Sequence, residues 1–424
     1  MLVEFTVNNY KSIKDTTKFS MLTSSKDEGN YFSMRTYDLL RSSIIYGANA
    51  SGKSNFLKAI AFMGRFVLNK YKILQSVDTL PHEPFKLCDD TENSSSSFEI
   101  VFFINEIKYR YGFEMDNEKI YSEWLFADEK GKEAKLFFRD SDKNEYVNLN
   151  KFKEGYIFFD KKEEKIKVSN NQLFIWKCDQ DDGEISKKIL QWFNQLNMIN
   201  GVENQGYINF TMEKMENDLF KNDIVKLVKT ADIGIEDIDV AEEEIPSEVL
   251  GFLTDTLREK LITDGAKATK LNTVHNKYDR DGNIIGKTIF ELNKEESIGT
   301  RKFFDMSAPI LDTLKNGKVL IIDELDASLH PILTQYLIKL FHDEDVNIKN
   351  AQLIFATHDT NLLNRNLFRR DQIWLTEKNK YGATDLYSLA ELKNVRKKED
   401  FETQYIQGKY GAIPYLGEFK FEVE

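Results

Sequence analysis

Thiols are scarce: Cys88 and Cys178 are the two cysteines of a 424-residue chain, and they form no CxxC pair. That excludes a disulfide framework and a structural zinc site, and it fits a reducing, cytoplasmic setting. No unbroken apolar stretch approaches the ~18 residues of a membrane span, so no membrane partner is expected. The opening residues MLVEFTVNNYKSI alternate like a strand and lack the basic, apolar, small-residue order of a secretion signal. Positive charge is short as well: 58 Lys and Arg against 70 Asp and Glu give a formal net charge of −12. A protein that coats nucleic acid draws its affinity from many cationic contacts to phosphates, and this balance speaks against one. A local basic groove is compatible with any net charge. Internal repeats are missing, and the heptads are too short and irregular for a long coiled coil. The rest is ordinary soluble composition, 41% hydrophobic and 30% charged, in a chain long enough for one large or two moderate domains.

Three regions follow from the patterning. Residues 1–180 carry a strand at 2–8, a second at 16–23, and the short apolar run SSIIYG (42–47) feeding a helix over 54–71. FEIVFFINEIKYRYGFEMD, IYSEWLFAD and KLFFRD then alternate as antiparallel strands. Residues 181–275 read as an inserted, mainly helical subdomain: ISKKILQWFNQL, FTMEKMENDLFKNDIVKLVKTA and SEVLGFLTDTLREKLI. The acidic run EDIDVAEEEIPSE (236–248) reads as a solvated loop or helix face, or a partner-binding surface. TVHNKYDRDGNIIGKTIFEL reads as a hairpin turning at Asp281-Gly282-Asn283. Residues 276–424 return to strand–helix alternation through KVLIID, HPILTQYLIKLFHD, AQLIFAT, a helix near NLLNRNLF, and DQIWLTE. Such alternation implies an α/β fold with a mainly parallel sheet, to which the first region adds an antiparallel β-subdomain.

Three motifs stand at strand ends. GANASGKS, comprising Gly47, Ala48, Asn49, Ala50, Ser51, Gly52, Lys53 and Ser54, matches the phosphate-binding loop between a strand and a helix, with Asn55 next in the helix. Its backbone N–H groups and helix N-terminus favour an anion. Lys53 would reach the β- and γ-phosphates, and Ser54 would bind Mg²⁺. VLIIDEL ends a buried strand in two carboxylates, Asp323 as metal ligand and Glu324 as general base. IFATHD ends another at His358, suited to sensing a γ-phosphate.

A fourth stretch, EESIGT, is harder to place. It lies one helix upstream of the Asp323 strand. A helix of ~15–18 residues spans ~22–27 Å, which would put Ser297, Gly299 and Thr300 far from the ATP held by their own phosphate loop. Yet hydroxyls and a glycine at a helix N-terminus form an anion site. A second copy, related by a two-fold axis, resolves this by lending its stretch to the other's γ-phosphate.

Together GANASGKS, ESIGT, IIDELDASLHP and ATHD, with NNYKSI near the start, resemble the ATP-binding-cassette class of ATPases, in particular the SMC/RecF-like branch. The resemblance covers about residues 1–130 and 290–380. It implies a P-loop head fold, ATP and Mg²⁺ as ligands, a homodimer or higher even oligomer, ESIGT as the trans signature, and Asp326 within the D-loop. Gln172 is the candidate for the Q-loop glutamine. Departures are clear: the signature is not LSGGQ, and no aromatic A-loop residue precedes the phosphate loop, although Tyr46 adjoins it. The closing run QGKYGAIPYLGEF and the short helical middle look more like the stand-alone ATPases of bacterial abortive-infection and antiphage systems, related to the ATPase part of OLD-family proteins. Those proteins fuse a TOPRIM nuclease domain after the ATPase. Residues 378–424 are too few for one and show no acidic metal triad, so a nuclease or TOPRIM-like effector is expected as a separate chain. The resemblance thus implies a sensor or regulatory ATPase of antiphage defence. The alternative is a DNA-maintenance ATPase, with DNA or another nucleic acid as partner and KNVRKKEDF (393–401) contributing basic surface. A transporter ATPase is disfavoured by the signature form and the antiparallel insert.

Overall fold

A computed structural model describes residues 1–26, 29–142, 145–201, 205–231, 234–396 and 399–414. The chain divides into two compact units. The first comprises 1–202, 313–327 and 334–424, and the second 203–312 and 328–333.

The first unit holds two large sheets. In the six-stranded sheet Leu196–Asn200, Val319–Asp323, Gln352–Ala356, Ser42–Gly47 and Ile373–Lys378 run parallel in that order, and Thr384–Ser388 closes the edge antiparallel. Every residue of Ser42–Gly47, Val319–Asp323 and Gln352–Ala356 is buried, which is why these strands read as unbroken apolar runs instead of alternating. The second sheet is antiparallel and seven-stranded, built from Ser96–Ile104, Ile107–Met115, Ile120–Asp128 and Glu133–Asp140 beside the N-terminal strand Leu2–Asn8. Helix Lys53–Val67 buries Phe56, Leu57, Ile60, Met63 and Phe66 at helical spacing. They join a single hydrophobic core that also takes in Phe5 and Phe98 from the antiparallel sheet and Ile321 and Ile354 from the parallel one. Phe66 meets Phe113 and Trp176 at ring-centroid distances of 5.0 and 5.5 Å. The helix that opens at the phosphate loop is therefore anchored by aromatic packing along its length.

The second unit contains helices Gln205–Met215, Asp218–Ala231, Ser247–Gly251 and Asp255–Thr263, and the antiparallel sheet Ile235–Glu244, Lys267–Tyr278, Ile284–Glu291. The compact second unit spans 203–312 where the sequence reading placed the insert at 181–275, and beside its helices it carries a three-stranded antiparallel sheet that reading did not include. Residues 181–202 belong to the first unit, where Leu196–Asn200 adds the edge strand beside Val319–Asp323. Residues 236–244 of the acidic run lie in strand Ile235–Glu244, where Lys267 and Lys270 on the neighbouring strand pair with Glu242 and Glu243 at 2.9 and 3.2 Å. The hairpin turn falls where expected, with Asp279 Oδ1 accepting from the Asn283 amide at 2.8 Å. NLLNRNLF makes only the short 3₁₀ turn Thr360–Leu362. Asn364 Oδ1 takes the Asn366 amide at 2.9 Å, a local bond that competes with a helix.

Candidate nucleotide site

Strand Ser42–Gly47 delivers the chain into the phosphate loop, and helix Lys53–Val67 leaves it. Gly52, the helix N-cap, has φ 114°, and a Cβ there would lie 2.1 Å from Thr384 Oγ1, so only glycine serves. Thr384 Oγ1 donates to the Ser51 carbonyl at 2.9 Å and lies 2.8 Å from Ser12 Oγ. Asn55 Nδ2 donates to the same Ser12 Oγ at 2.8 Å. Ser51 Oγ and Thr376 Oγ1 are 2.6 Å apart. The NNYKSI motif and the strand-end threonines thus brace the loop from behind.

In front lies a cleft of about 650 Å³ lined by residues 49–55, Glu324, His358 and Lys378. Lys53 Nζ donates to the Gly47 and Ala48 carbonyls at 2.8 and 3.2 Å. Burial lowers the Lys53 ammonium to about 8, against the opposing pull of Asp323, Glu324 and Asp326. A bound phosphate favours the cation, so at pH above this value nucleotide binding must take up a proton. Affinity for ATP is therefore expected to be full below pH ~8 and to weaken as pH rises through it. Titrating a fluorescent ATP analogue between pH 7 and 9.5 checks this, and a flat affinity would contradict it.

Asp323 ends its strand at 6% exposure. Asp323 Oδ1, Asp326 Oδ1 and Asp359 Oδ2 are buried without a hydrogen-bond partner, costly unless a ligand satisfies them. Glu324 has φ 58°, a conformation that strains a non-glycine residue by about 1–3 kcal/mol and gathers at functional sites. Its backbone rests on Gly201: the Gly201 amide donates to the Asp323 carbonyl at 2.6 Å, and a Cβ on Gly201 would stand 1.9 Å from the Glu324 carbonyl oxygen. The Gly201→Ala variant is expected to lose about 1–3 kcal/mol of stability and most of its turnover, because backbone must shift beside Glu324, the residue expected to act as base. Wild-type turnover in that variant, measured beside its denaturant midpoint, would show the contact to be irrelevant.

The structure brings the phosphate loop, Glu324 and His358 to one cleft and leaves other expected residues out. Gln172 lines none of it; its amide donates to the Leu74 carbonyl at 3.3 Å. Tyr46 is 1% exposed, donates to the Asp359 carbonyl at 2.8 Å and packs on Tyr405 at 5.9 Å, so it offers no platform for a base. Lys378, which sequence reading passed over, lines the cleft because its strand lies directly beside Ser42–Gly47. Only strand order could have revealed it.

The residues expected to form the signature belong to the second unit. Ser297 Oγ accepts from the Thr300 amide at 3.0 Å and lies 2.9 Å from Thr300 Oγ1, capping helix Ile298–Asn316. Ser297, Gly299 and Thr300 line a separate cleft of about 300 Å³ with Phe303, Ser328 and His330. A Cβ on Gly299 would come within 3.1 Å of the Ser328 carbonyl.

No curated protein matches the chain in sequence. An SMC head domain from Thermotoga maritima aligns at TM-score 0.40 and 12% identity, covering 91% of this chain and 98% of that one. The recombination mediator protein RecF-ATPrS of the RecFOR pathway aligns at TM-score 0.33 and 15% identity, with coverage of 91% and 98%. Residues 42–364 match the family described as "AAA domain, putative AbiEii toxin, Type IV TA system", a span that runs from the phosphate-loop strand past His358. The chain belongs to this family of AAA-domain, P-loop enzymes that hydrolyse ATP.

Proposed function

We propose that the chain is a Mg-ATP switch. Two copies close head to tail around ATP, hydrolysis releases them, and the cycle governs a separate toxic effector in a bacterial antiphage system. The observation that carries the reading is the division of phosphate-binding groups between two clefts. Lys53 and His358 line one, with Glu324 beside them, and the capped helix start at Ser297–Thr300 lines another. Each looks suited to an anion, and a two-fold pair of chains would join one of each kind at every nucleotide.

Within one chain, Lys53 holds the β- and γ-phosphates, His358 meets the γ-phosphate, and Glu324 accepts a proton from the attacking water. The unpartnered Asp323 Oδ1 and the Ser54 hydroxyl fit Mg²⁺, which supplies charge neutralisation at the phosphates when bound. Such an ion needs only one or two protein oxygens beside phosphate and water. Among the described residues no group of three or more His, Cys, Asp or Glu is placed to hold a metal. ATP binds the closed pair better than the open one, so it shifts the population toward closure. Losing the shared γ-phosphate removes that preference.

Among the described residues no helix is long and apolar enough to cross a membrane; a cytoplasmic site of action is part of the proposal. Light scattering with and without a non-hydrolysable ATP analogue tests the central claim. A doubled mass on adding nucleotide supports it; a mass indifferent to nucleotide sinks it. Co-expression with candidate effectors, scored for toxicity that depends on intact Lys53, tests the cellular role.

A further inference from the structure

The inserted sheet has no part in the scheme above, yet one of its side chains reaches the signature. Strand Ile284–Glu291 runs into the turn Leu292–Glu295, and Glu296 follows immediately before Ser297. The Glu296 side chain is 8% exposed, and its Oε1 lies 2.7 Å from Nε2 of His275 on strand Lys267–Tyr278. The Thr273 hydroxyl, two residues along the same strand, donates to the same oxygen. The imidazole packs on Phe290 at 4.6 Å between ring centroids, which fixes its plane. Two further bonds tie the turn: Glu295 Oε2 accepts from the Glu291 amide at 2.7 Å, and Arg301 Nη1 donates to the Asn293 carbonyl at 2.8 Å. The distal hairpin, by contrast, exposes Ile284, Ile285 and Ile289.

A carboxylate that buried needs donors. The His275 imidazole and the Thr273 hydroxyl come from one sheet strand, and the residue they hold is covalently next to the helix cap. We propose that His275, with Thr273, is a positioning residue for the signature. By fixing the Glu296 carboxylate it sets where the Ser297 hydroxyl and the first amides of helix Ile298–Asn316 stand. The insert then serves as the arm that aligns the trans anion site. The assignment rests on the two-subunit reading. A change at His275 should alter pairing and turnover and leave nucleotide binding by the single chain intact, since no group of the phosphate loop is touched.

His275→Phe keeps a ring against Phe290 and removes the donor; His275→Gln keeps a donor at similar reach. Turnover and nucleotide-driven dimerisation are expected to fall about tenfold or more in His275→Phe and to stay within about threefold of wild type in His275→Gln. The affinity of the dilute, monomeric chain for a fluorescent ATP analogue should not move in either. Thr273→Val, which leaves the imidazole in place, should give a smaller loss of the same kind and serves if His275→Phe does not fold. Ser297→Arg is measured alongside. Normal dimerisation in His275→Phe while Ser297→Arg abolishes it overturns the positioning role and spares the two-subunit reading. Normal dimerisation in both overturns that reading itself. Lost monomer affinity in His275→Phe would mean general structural damage and would also overturn the assignment.

Discussion

Replacing Glu324 by glutamine is expected to cut ATP turnover by about 10²–10⁴-fold while leaving ATP bound. Glutamine is nearly isosteric and keeps a hydrogen-bonding oxygen, but its amide cannot accept the proton that the attacking water must lose. Lys53, Ser54 and the loop amides are unaffected, so affinity should hold. Glutamine meets the left-handed backbone of Glu324 (φ 58°) on the same terms as glutamate, so the variant should also keep its fold. With hydrolysis blocked, the ATP-bound closed state accumulates, and the mass in solution should remain doubled at ATP concentrations where wild type cycles back. Lys53→Ala is the contrasting control, since it should lose binding and turnover together. A Glu324→Gln protein that turns over within a few fold of wild type would remove Glu324 as the base and send the search to its neighbours.

How much of this site could be read in advance depended on how each strand is buried. Ser42–Gly47, Val319–Asp323 and Gln352–Ala356 are covered on both faces. Each therefore shows as an apolar run that stops at a loop carrying chemistry, and the residues at those stops did converge on one cleft. Leu196–Asn200 is an edge strand of half-buried residues, LNMIN in sequence, and only its Leu196 entered the reading, as the end of the preceding helix. That one omission moved the start of the insert by some twenty residues and hid Gly201 and its contact with Glu324. The strand Ile235–Glu244 was masked by charge, because its carboxylates are matched by lysines that come from a different part of the chain. Gln172 and Lys378 show the same limit at single residues. Nothing local distinguishes a glutamine bonded to a loop carbonyl from one in a nucleotide site, and nothing marks a lysine as adjacent to the phosphate loop until strand order is known. The link from His275 to Glu296 joins residues 21 apart across a hairpin and had no signature of its own.

Substituting Ser297 by arginine is expected to abolish ATP-driven pairing while each chain still binds nucleotide. Ser297 is exposed, so the larger side chain can be accommodated. Losing its cap to the Thr300 amide should cost about 0.5–2 kcal/mol, little enough for the unit to stay folded. In a two-fold dimer the change counts twice. A lost hydrogen bond to a charged group at about 1.5–3 kcal/mol per site becomes a loss of about 10²–10⁴-fold in dimer affinity. Arginine also carries charge and could attract phosphate on its own account, so Ser297→Ala belongs beside it as the neutral truncation. The decisive form is a mixture. Lys53→Ala and Ser297→Arg chains are each inactive alone, but a mixed pair contains one site with an intact phosphate loop from one chain and an intact signature from the other. Neither homodimer has a complete site to drive its pairing, and each mixed pair has one working site of two, so turnover should return in the mixture, to at most about half that of wild type. If both groups instead served the same chain's nucleotide, no combination of these chains would hold a complete site. The mixture would then stay as dead as its components, and the two-subunit switch would have to be given up.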